Sequence, residues 1–380
     1  MGLLEGEPSL QNGWYARLPR NLRLRKLAAC ATLEGPRGRF DSEIMTRLGL
    51  YLGRLPGFDK AGYDGRELID CVRAADACGY DSFWMPEVWE HEVFSILTQI
   101  AMRTERIGLG TGVINIFSRS PALIAMSAAT LDEISGGRLR LGLGTSGARV
   151  IQDFHGMPYV KPLSRLRETI TIVRMLLAGE QADFNGEHFR LSRFKLGFKP
   201  LRPQIPIYVA SLGTRALGQL GETADGWLPV HWPLDKLSQG IEEIRRGADR
   251  TGRDQSAIEI APMVNCVVSE DRDRARRAAR LPLAYYVGGM GDYYHEMLSR
   301  LGFGDEANRI QKAWSAGRPK EAIRAVSDEM LDRIAICGPL EVCRAQLEEM
   351  PAHRASLTIV PIPKDGTTAD KIRIIEGLIQ

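Results

Sequence analysis

The segments of this chain with the clearest chemical potential are two nearly identical glycine-ended runs. Arg106 to Gly112 reads RIGLGTG, and Arg140 to Gly147 reads RLGLGTSG. Glycine lets backbone approach a ligand closely, and free backbone N–H groups suit a phosphate. The helical segment between the runs predicts a strand–helix–strand unit. Two parallel strands that end in such loops indicate one shared ligand site at the carboxyl end of a sheet.

The second run contains a G-x-G-x-x-G pattern formed by Gly142, Gly144 and Gly147. Three readings are open: a dinucleotide-binding fingerprint, glycines that only serve a tight turn, or a cofactor loop at the top of a barrel. The fingerprint requires an uninterrupted helix after the loop, whereas Pro158 and Pro162 interrupt the sequence here. The pattern therefore favours the cofactor loop, for which we expect Gly144, Thr145, Ser146 and Gly147 to supply contacts.

A dense group of acids follows the predicted strand DSFWMP, in the segment MPEVWEHE. Glu87 stands where a barrel strand reaches the active-site face, and a carboxylate there could give or take a proton. His91 is the only histidine near it in sequence and is the second candidate for a proton donor, although a surface position in a first helical turn would also explain it. We expect Trp89, between them, to contact a cofactor.

An anion site is predicted in the segment SLGTR, which follows a strand and opens a helix. Ser211, Leu212, Gly213 and Thr214 offer hydroxyl and N–H groups there, and Arg215 adds a positive charge. A plain helix cap is the simpler alternative. Asn115, at the exit of another strand, could hold a ring carbonyl.

Composition limits the class of protein. The 380 residues are 44% hydrophobic and carry a formal net charge of +3 with mixed signs, which argues against nucleic acid or a membrane surface as the main partner. No apolar run reaches transmembrane length. The six cysteines show no metal-ligand spacing, so we expect no metal site and a reduced protein in the cytoplasm. The expected partner is a small-molecule substrate.

Eight predicted strands alternate with helices after Thr46, which indicates an α/β fold of the (β/α)8 TIM-barrel type. We expect one barrel domain over residues 46–380, with a helical insertion at about 271–335 before the last strand. Residues 1–45 are expected to form an arm or leader outside the barrel. The helices at 92–103 and 120–135 are apolar on more than one face, which predicts a two-fold homodimer through them.

Several segments together resemble the luciferase-like flavin and deazaflavin oxidoreductases, and in particular the branch that uses coenzyme F420 and includes methylenetetrahydromethanopterin reductase. They are FWMPEVW, ERIGLGTGV, SPALIAMSAATLDEISGGRLRLGLGTSG, FHGMPYVKPLSRLRET, PLRPQIPIYVASLG, ADGWLP and, in the insertion, YYVGGMGDYYHEML. The resemblance covers about residues 46–362. It implies a TIM barrel, usually dimeric, with a tricyclic ring across its top.

The resemblance also assigns roles to particular positions. Gly112–Val113 matches a cis peptide bond against the ring, Asn115 a ring-binding residue, and Glu87 an acid at the end of the second strand. Residues 144–147 match the loop beside the ring, and residues 211–213 match a phosphate-binding turn. Two departures concern the sugar-phosphate dehydrogenases of the family, which have Asp-His where Glu87–Val88 stands and a catalytic Glu in place of Gly147.

The resemblance and the loops together predict an oxidoreductase that moves a hydride between a deazaflavin, coenzyme F420, and a small organic substrate. The main alternative is an FMN-dependent monooxygenase supplied by a separate flavin reductase. A non-catalytic flavin-binding barrel is the third possibility.

Overall fold

The computed structural model describes residues 47–52, 65–350, 357–361 and 366–379. The expected arm at residues 1–45 lies outside the described residues. Within them, helices and strands alternate along most of the chain. The strands are β1 (Arg47–Tyr51), β2 (Ser82–Met85), β3 (Gly108–Thr111), β4 (Ile114–Asn115), β5 (Leu139–Gly144), β6 (Ala182–Asn185), β7 (Arg190–Phe194), β8 (Ile207–Ala210), β9 (Gly226–Trp227), β10 (Glu259–Ile260), β11 (Asn265–Val268), β12 (Ala335–Gly338) and β13 (Leu357–Pro361). The α-helices are α1 (Gly65–Cys78), α2 (Val93–Ala101), α3 (Pro121–Ser135), α4 (Pro162–Leu177), α5 (Thr214–Thr223), α6 (Leu237–Arg250), α7 (Arg272–Gly289), α8 (Asp292–Leu298), α9 (Gly304–Ser315), α10 (Pro319–Ala325), α11 (Asp328–Ile334), α12 (Leu340–Glu349) and α13 (Thr368–Gly377).

The main sheet is a curled row of parallel strands in the order β10-β9-β8-β5-β3-β2-β1-β13, with β4 also paired to β5. β11, which continues from β10, contacts β13, so the sheet curls back toward its other end. Parallel strands need crossover connections, and the helices between them supply these on the outside. The prediction of a (β/α)8 TIM barrel is confirmed.

The insertion also matches its predicted bounds, because α7 to α11 occupy residues 272–334. Three details differ from the expectation. β6 and β7 form an antiparallel hairpin between α4 and β8, in a stretch where no strand was expected. The seventh strand is split into β10 and β11 around Pro262, which has no N–H to donate to a ladder. β12 follows the insertion and pairs with β11.

Helix α3 shows how local sequence sets the element bounds. Ser120 accepts a hydrogen bond from the N–H of Leu123, Pro121 occupies the first helical turn, and Gly136 ends the helix in the left-handed conformation. The residues that α3 buries, such as Ile124 and Ala128, join a large outer core between helices and strands.

A second, smaller core fills the inside of the barrel. Trp84, Tyr208, Leu228 and Ala261 form it, and the side chains of Tyr51, Val113, Ala210 and Met263 pack on it. The rings of Trp84 and Tyr208 meet edge to face with centroids 5.0 Å apart. The barrel is therefore a packed core rather than a pore.

Charged side chains close the amino-terminal end of the barrel. Arg140 donates to Asp81 at 2.5 Å, Arg47 forms ion pairs with Asp81 and Glu259, and the Tyr208 hydroxyl donates to Glu259. Each of these residues is one of the first two residues of a strand or directly precedes a strand. These ion pairs stabilise the amino-terminal end of the barrel. In TIM barrels the ligands bind at the opposite, carboxyl-terminal end.

Candidate cofactor and active site

A cavity of about 960 Å³ opens at the carboxyl ends of the barrel strands. The last residue of β1 and the segments after β2, β3, β5, β8, β9 and β10 line it, together with α7, α8 and the residues just after them. It brings together most of the predicted site residues, namely Glu87, Gly112, Val113, Asn115, Gly144, Thr145, Ser146, Gly147, Ser211, Leu212, Gly213 and Thr214. Its size lies within the usual range of ligand pockets, about 300–1,000 Å³.

The floor of the cavity is apolar and belongs to the inner core of the barrel. Tyr51, Val113, Ala210, Leu228 and Met263 all line the cavity and also belong to, or pack on, the inner cluster. A flat apolar ring laid on this surface would lose its water on one whole face. The floor therefore suits an aromatic or tricyclic group rather than a sugar.

The expected cis peptide bond is present at Gly112–Val113, between β3 and β4. Here the strand bulges toward the next one, and two glycines of β5 make room for it. A Cβ on Gly142 would lie 1.9 Å from the carbonyl oxygen of Thr111, and one on Gly144 would lie 2.7 Å from Cγ2 of Val113. The G-x-G pattern thus accommodates the neighbouring strand, and a π-helical turn at Val150–Phe154 follows the loop instead of a dinucleotide-type helix.

Asn115 is buried beside this bulge and is held by its own loop. Its Oδ1 accepts the N–H groups of Phe117 and Ser118 at 3.0 and 2.8 Å, and its Nδ2 lies 3.4 Å from Nε2 of His155. The side-chain oxygen is fully engaged, so the amide nitrogen is the group that remains to face a ligand carbonyl.

The other end of the cavity is built for an anion. Helix α5 begins there, and Gly213, Thr214, Arg215 and Ala216 all line the cavity. The first N–H groups of a helix have no partner within it, and the helix dipole adds positive potential. Arg300 also lines this end, where its Nη2 donates to the carbonyl oxygen of Leu212 at 2.7 Å. These features fit a phosphate or carboxylate.

Glu87 lies in the cavity wall, but both of its carboxylate oxygens are engaged. Arg119 pairs with Oε1 and donates to Oε2 at 2.9 Å, and the N–H of Val93 donates to Oε2 at 3.0 Å. The side chains of Glu87 and Arg119 are each 12% exposed. Burial opposes the charge of Arg119, but its bonds to Glu87 and Glu92 dominate and raise its pKa. Both oxygens of Glu87 therefore already accept hydrogen bonds from the protein itself, and its predicted role as a proton donor stays a prediction.

Two predicted residues lie away from the cofactor cavity. The chain turns outward after Glu87, and Glu92 caps α2 through the N–H groups of Phe94 and Ser95. Trp89 consequently lines a neighbouring cavity instead, and His91 is exposed and lines neither. The structure therefore places Trp89 and His91 outside the cavity that brings the other predicted residues together, and their predicted roles stay predictions.

Sequence reasoning from single motifs missed a group of tyrosines that line the cavity. Tyr51 ends β1, and Tyr286, Tyr293 and Tyr294 come from the insertion. Burial raises the pKa of Tyr286 to about 12 and the pKa values of Tyr51 and Tyr294 well above the ordinary value of 10, so all three are protonated phenols at neutral pH. The tyrosine-rich segment YYVGGMGDYYHEML was the available signal.

Among the described residues, no group of three or more His, Cys, Asp or Glu side chains is arranged to hold a metal ion. No helix in the described ranges is long and apolar enough to cross a membrane.

The fold and the cavity define a TIM barrel whose carboxyl-terminal face has a cavity with an apolar floor and an anion end, which suits a flat cofactor. The chain belongs to the luciferase-like monooxygenase family, whose model matches residues 45–357. The resemblance stated from the sequence is therefore confirmed.

Two curated relatives match most of the chain. A putative coenzyme F420-dependent oxidoreductase from Mycobacterium tuberculosis is 31% identical over 328 residues, covering 82% of this chain and 93% of that protein. The 5,10-methylenetetrahydromethanopterin reductase of Archaeoglobus fulgidus is 35% identical over 316 residues, covering 81% and 93%.

Solved structures share the fold. The coenzyme F420-dependent tetrahydromethanopterin reductase of Methanopyrus kandleri aligns with a TM-score of 0.73 at 24% identity, covering 88% of this chain and 98% of that one. A type II Baeyer–Villiger monooxygenase from Pseudomonas putida, in complex with FMN, aligns with a TM-score of 0.64 at 18% identity, covering 88% and 97%. At these identities the likeness establishes the fold alone.

Proposed function

We propose that this protein is an oxidoreductase that transfers a hydride between a deazaflavin, coenzyme F420, and a small organic substrate. The observation that carries the proposal is the cavity itself, with an apolar floor at one end and the start of α5 at the other. The relative named as a putative coenzyme F420-dependent oxidoreductase supports the choice of cofactor, since it matches 82% of the chain.

The residues present fit such a cofactor. Val113, Ala210, Leu228 and Met263 would lie under the ring, because they form the apolar floor, and Tyr51 would stand beside it. Thr145, Ser146 and Gly147 would flank it, and residues 211–214 with Arg300 would hold its phosphate-bearing side chain. A bound deazaflavin supplies the hydride, and the protein supplies orientation and a dry site.

The proton that accompanies the hydride needs a donor, and we assign it to the phenol of Tyr51. This side chain packs against the floor, and its Cε2 lies 3.7 Å from the position that a Cβ on Gly112 would take. Its raised pKa keeps the proton on the oxygen until the substrate gains charge. Glu87 is assigned a positioning role, through Arg119, and His91 no chemical role.

Isothermal titration of the purified protein with F420 and with FMN tests the cofactor. We expect F420 to bind more tightly. Tight binding of FMN with none of F420 would replace the proposal by the FMN-dependent monooxygenase. Binding of F420 without reduction of any acceptor in a panel of aldehydes, ketones, imines and conjugated alkenes would favour the non-catalytic barrel.

Tyr51→Phe tests the proton donor with any acceptor that the wild-type protein reduces. Phenylalanine keeps the ring on the floor but has no proton to give. General acid catalysis contributes about 100- to 10,000-fold, so kcat should fall by that order while the dissociation constant of F420 changes little. A kcat within about threefold of wild type would exclude Tyr51 as the donor.

We also propose a two-fold homodimer through α2 and α3. Leu123, Met126 and Ile134 are exposed on one side of α3, and Met102, just after α2, is 76% exposed. Contiguous exposed apolar side chains mark association surfaces. A dimer mass by light scattering at micromolar concentration is expected, and Leu123→Glu with Met126→Glu should return the protein to a monomer; a wild-type monomer mass would exclude the dimer.

Residues 46–380 are proposed as the single catalytic domain, with residues 1–45 as a separate arm. A cytoplasmic location is proposed as well, because the five cysteines in the described part of the chain are free thiols, as in a reducing compartment.

A further inference from the structure

A second cavity of about 400 Å³ lies beside the cofactor cavity. The loop after β2, the π-helical turn at Val150–Phe154 and the insertion helices α7 and α9 form its walls. Four aromatic side chains line it, which are Trp89, Phe154, Tyr285 and Trp314. Trp89 and Phe154 are 38% and 59% exposed, although nothing in the cofactor site requires large aromatic side chains at this surface.

The two cavities adjoin one another. Gly147 and Met290 line both, so a molecule in the second cavity can contact the same residues as a molecule in the first. A Cβ on Gly147 would lie 3.4 Å from the carbonyl oxygen of Met290, which means that the two walls approach closely here. Glycine at this position leaves no side chain between the two walls.

Packing inside the insertion fixes the shape of the second cavity. Trp314 and Tyr285 meet edge to face with centroids 5.6 Å apart. Gly288 and Gly289 let the indole lie against α7, because a Cβ on Gly288 would come within 2.5 Å of Cβ of Trp314. The aromatic wall is therefore preformed, as in small-molecule sites.

The charges of the residues that line the second cavity balance each other. Its charged lining residues are Arg149 and Asp153, which lie 3.8 Å apart as an exposed ion pair on one turn. A phosphorylated substrate would find no unbalanced positive charge here, in contrast to the anion end of the cofactor cavity. The lining matches an uncharged ligand that stacks on aromatic rings.

We propose that the second cavity is the binding site for the body of the substrate, and that the substrate is an uncharged compound with an aromatic or fused-ring core. One end of it would reach past Gly147 and Met290 to the cofactor, while its ring system rests between Phe154 and Trp314. This inference rests on the proposed function, and it adds the substrate class.

The test is calorimetric titration of the F420-loaded protein with 2-acetylnaphthalene, an uncharged bicyclic aromatic ketone. Oxidised cofactor is used, so that binding is measured without turnover and with the first cavity filled. We expect saturable binding, and we expect no binding of glucose 6-phosphate under the same conditions. Phe154→Ala and Trp314→Phe should each weaken 2-acetylnaphthalene binding, the former by about tenfold, which is the scale of one lost aromatic contact.

Phe194→Ala is the matched control, because Phe194 is 77% exposed on β7 and lines neither cavity. Since Phe154 is exposed as well, both phenylalanine variants should fold, and their melting temperatures check this. If F420 binds but the ketone does not, or if Phe154→Ala and Phe194→Ala bind it equally well, the substrate site is refuted while the proposed cofactor stands. If F420 fails to bind, the proposed function falls, and this inference falls with it.

Discussion

Replacing Glu87 by Gln separates the two roles that this carboxylate could have. Glutamine keeps the size of the side chain but removes the charge and replaces one oxygen by an NH2 group. Glu87 receives donors on both oxygens, from Arg119 and from the N–H of Val93. Whichever way the amide is turned, its NH2 group therefore faces another donor.

The expected cost follows from burial. Removing one partner of a buried ion pair costs about 3–5 kcal/mol, because the remaining charge is left uncompensated. Here Arg119 keeps a second partner, since its Nη2 lies 2.5 Å from Oε1 of Glu92. We therefore expect the free energy of unfolding to fall by about 2 kcal/mol, somewhat below that range. Affinity for F420 should fall only modestly, because Glu87 shapes the wall rather than the floor.

The assay is urea denaturation followed by tryptophan fluorescence, with Glu87→Gln, Arg119→Gln and the double variant in one cycle. A coupling of at least about 1 kcal/mol between the two positions is expected for residues in direct contact. Glu92→Gln is the control, because it removes the other partner of Arg119, at a residue that does not line the cavity. If Glu87→Gln left the free energy of unfolding unchanged but reduced kcat by 100-fold or more, Glu87 would be the proton donor and the positioning argument would be refuted.

Two further predictions concern backbone fit and pH. Gly144→Ala should lower the free energy of unfolding by about 1–3 kcal/mol and the affinity for F420 by at least tenfold, because its Cβ would meet Val113 at 2.7 Å. Gly197→Ala is the control and should change neither quantity, because a Cβ there meets nothing within 4 Å. Equal F420 titration curves for the wild type and both variants would contradict the steric reasoning. Asp76 accepts the N–H groups of Glu105, Arg106 and Ile107 at 2.7–3.0 Å, and although burial opposes its charge, these bonds lower its pKa. A carboxyl with a lowered folded-state pKa stabilises the protein above its ordinary pKa of 3.8, and this stabilisation is lost as the pH falls through the folded-state value. Wild type should therefore exceed Asp76→Asn in free energy of unfolding by a constant amount near neutral pH and by a shrinking amount below about pH 4; a difference that does not change with pH would show that Asp76 carries no such linkage.

The barrel was predictable from sequence because its signals are local. Ser120–Pro121 and Gly136 mark the ends of one helix, and apolar runs that end in glycine mark the strands. The hairpin of β6 and β7 lacked such a signal, since its strands are short and largely exposed. Pro262 is a signal that could have predicted the split of the seventh strand. The apolar run continues on both sides of the proline, however, so the sequence pattern indicates a single strand.

The candidate site was predictable where its residues follow strands, because the strand ends of a parallel sheet meet at one edge. Residues 112–115, 144–147 and 211–214 came together for this reason. Side-chain partnerships were not predictable in the same way. Arg119 lies 32 positions from Glu87, and no local pattern indicates that it occupies both carboxylate oxygens. The direction in which Trp89 and His91 face depends on a turn whose path sequence periodicity does not specify.

The separation of the inner and outer cores has a consequence for divergence. Four fully buried side chains and four partly buried ones make up the inner cluster, whereas the outer core joins nearly every helix to the strands. The two cores share no residue, so we expect a substitution such as Leu228→Ile to reshape the floor with little effect on the packing of the helices outside. In a scaffold divided in this way, changes at a few floor positions and loops can replace one hydride-accepting substrate by another. Selection for stable folding acts on a different set of residues, those of the outer core.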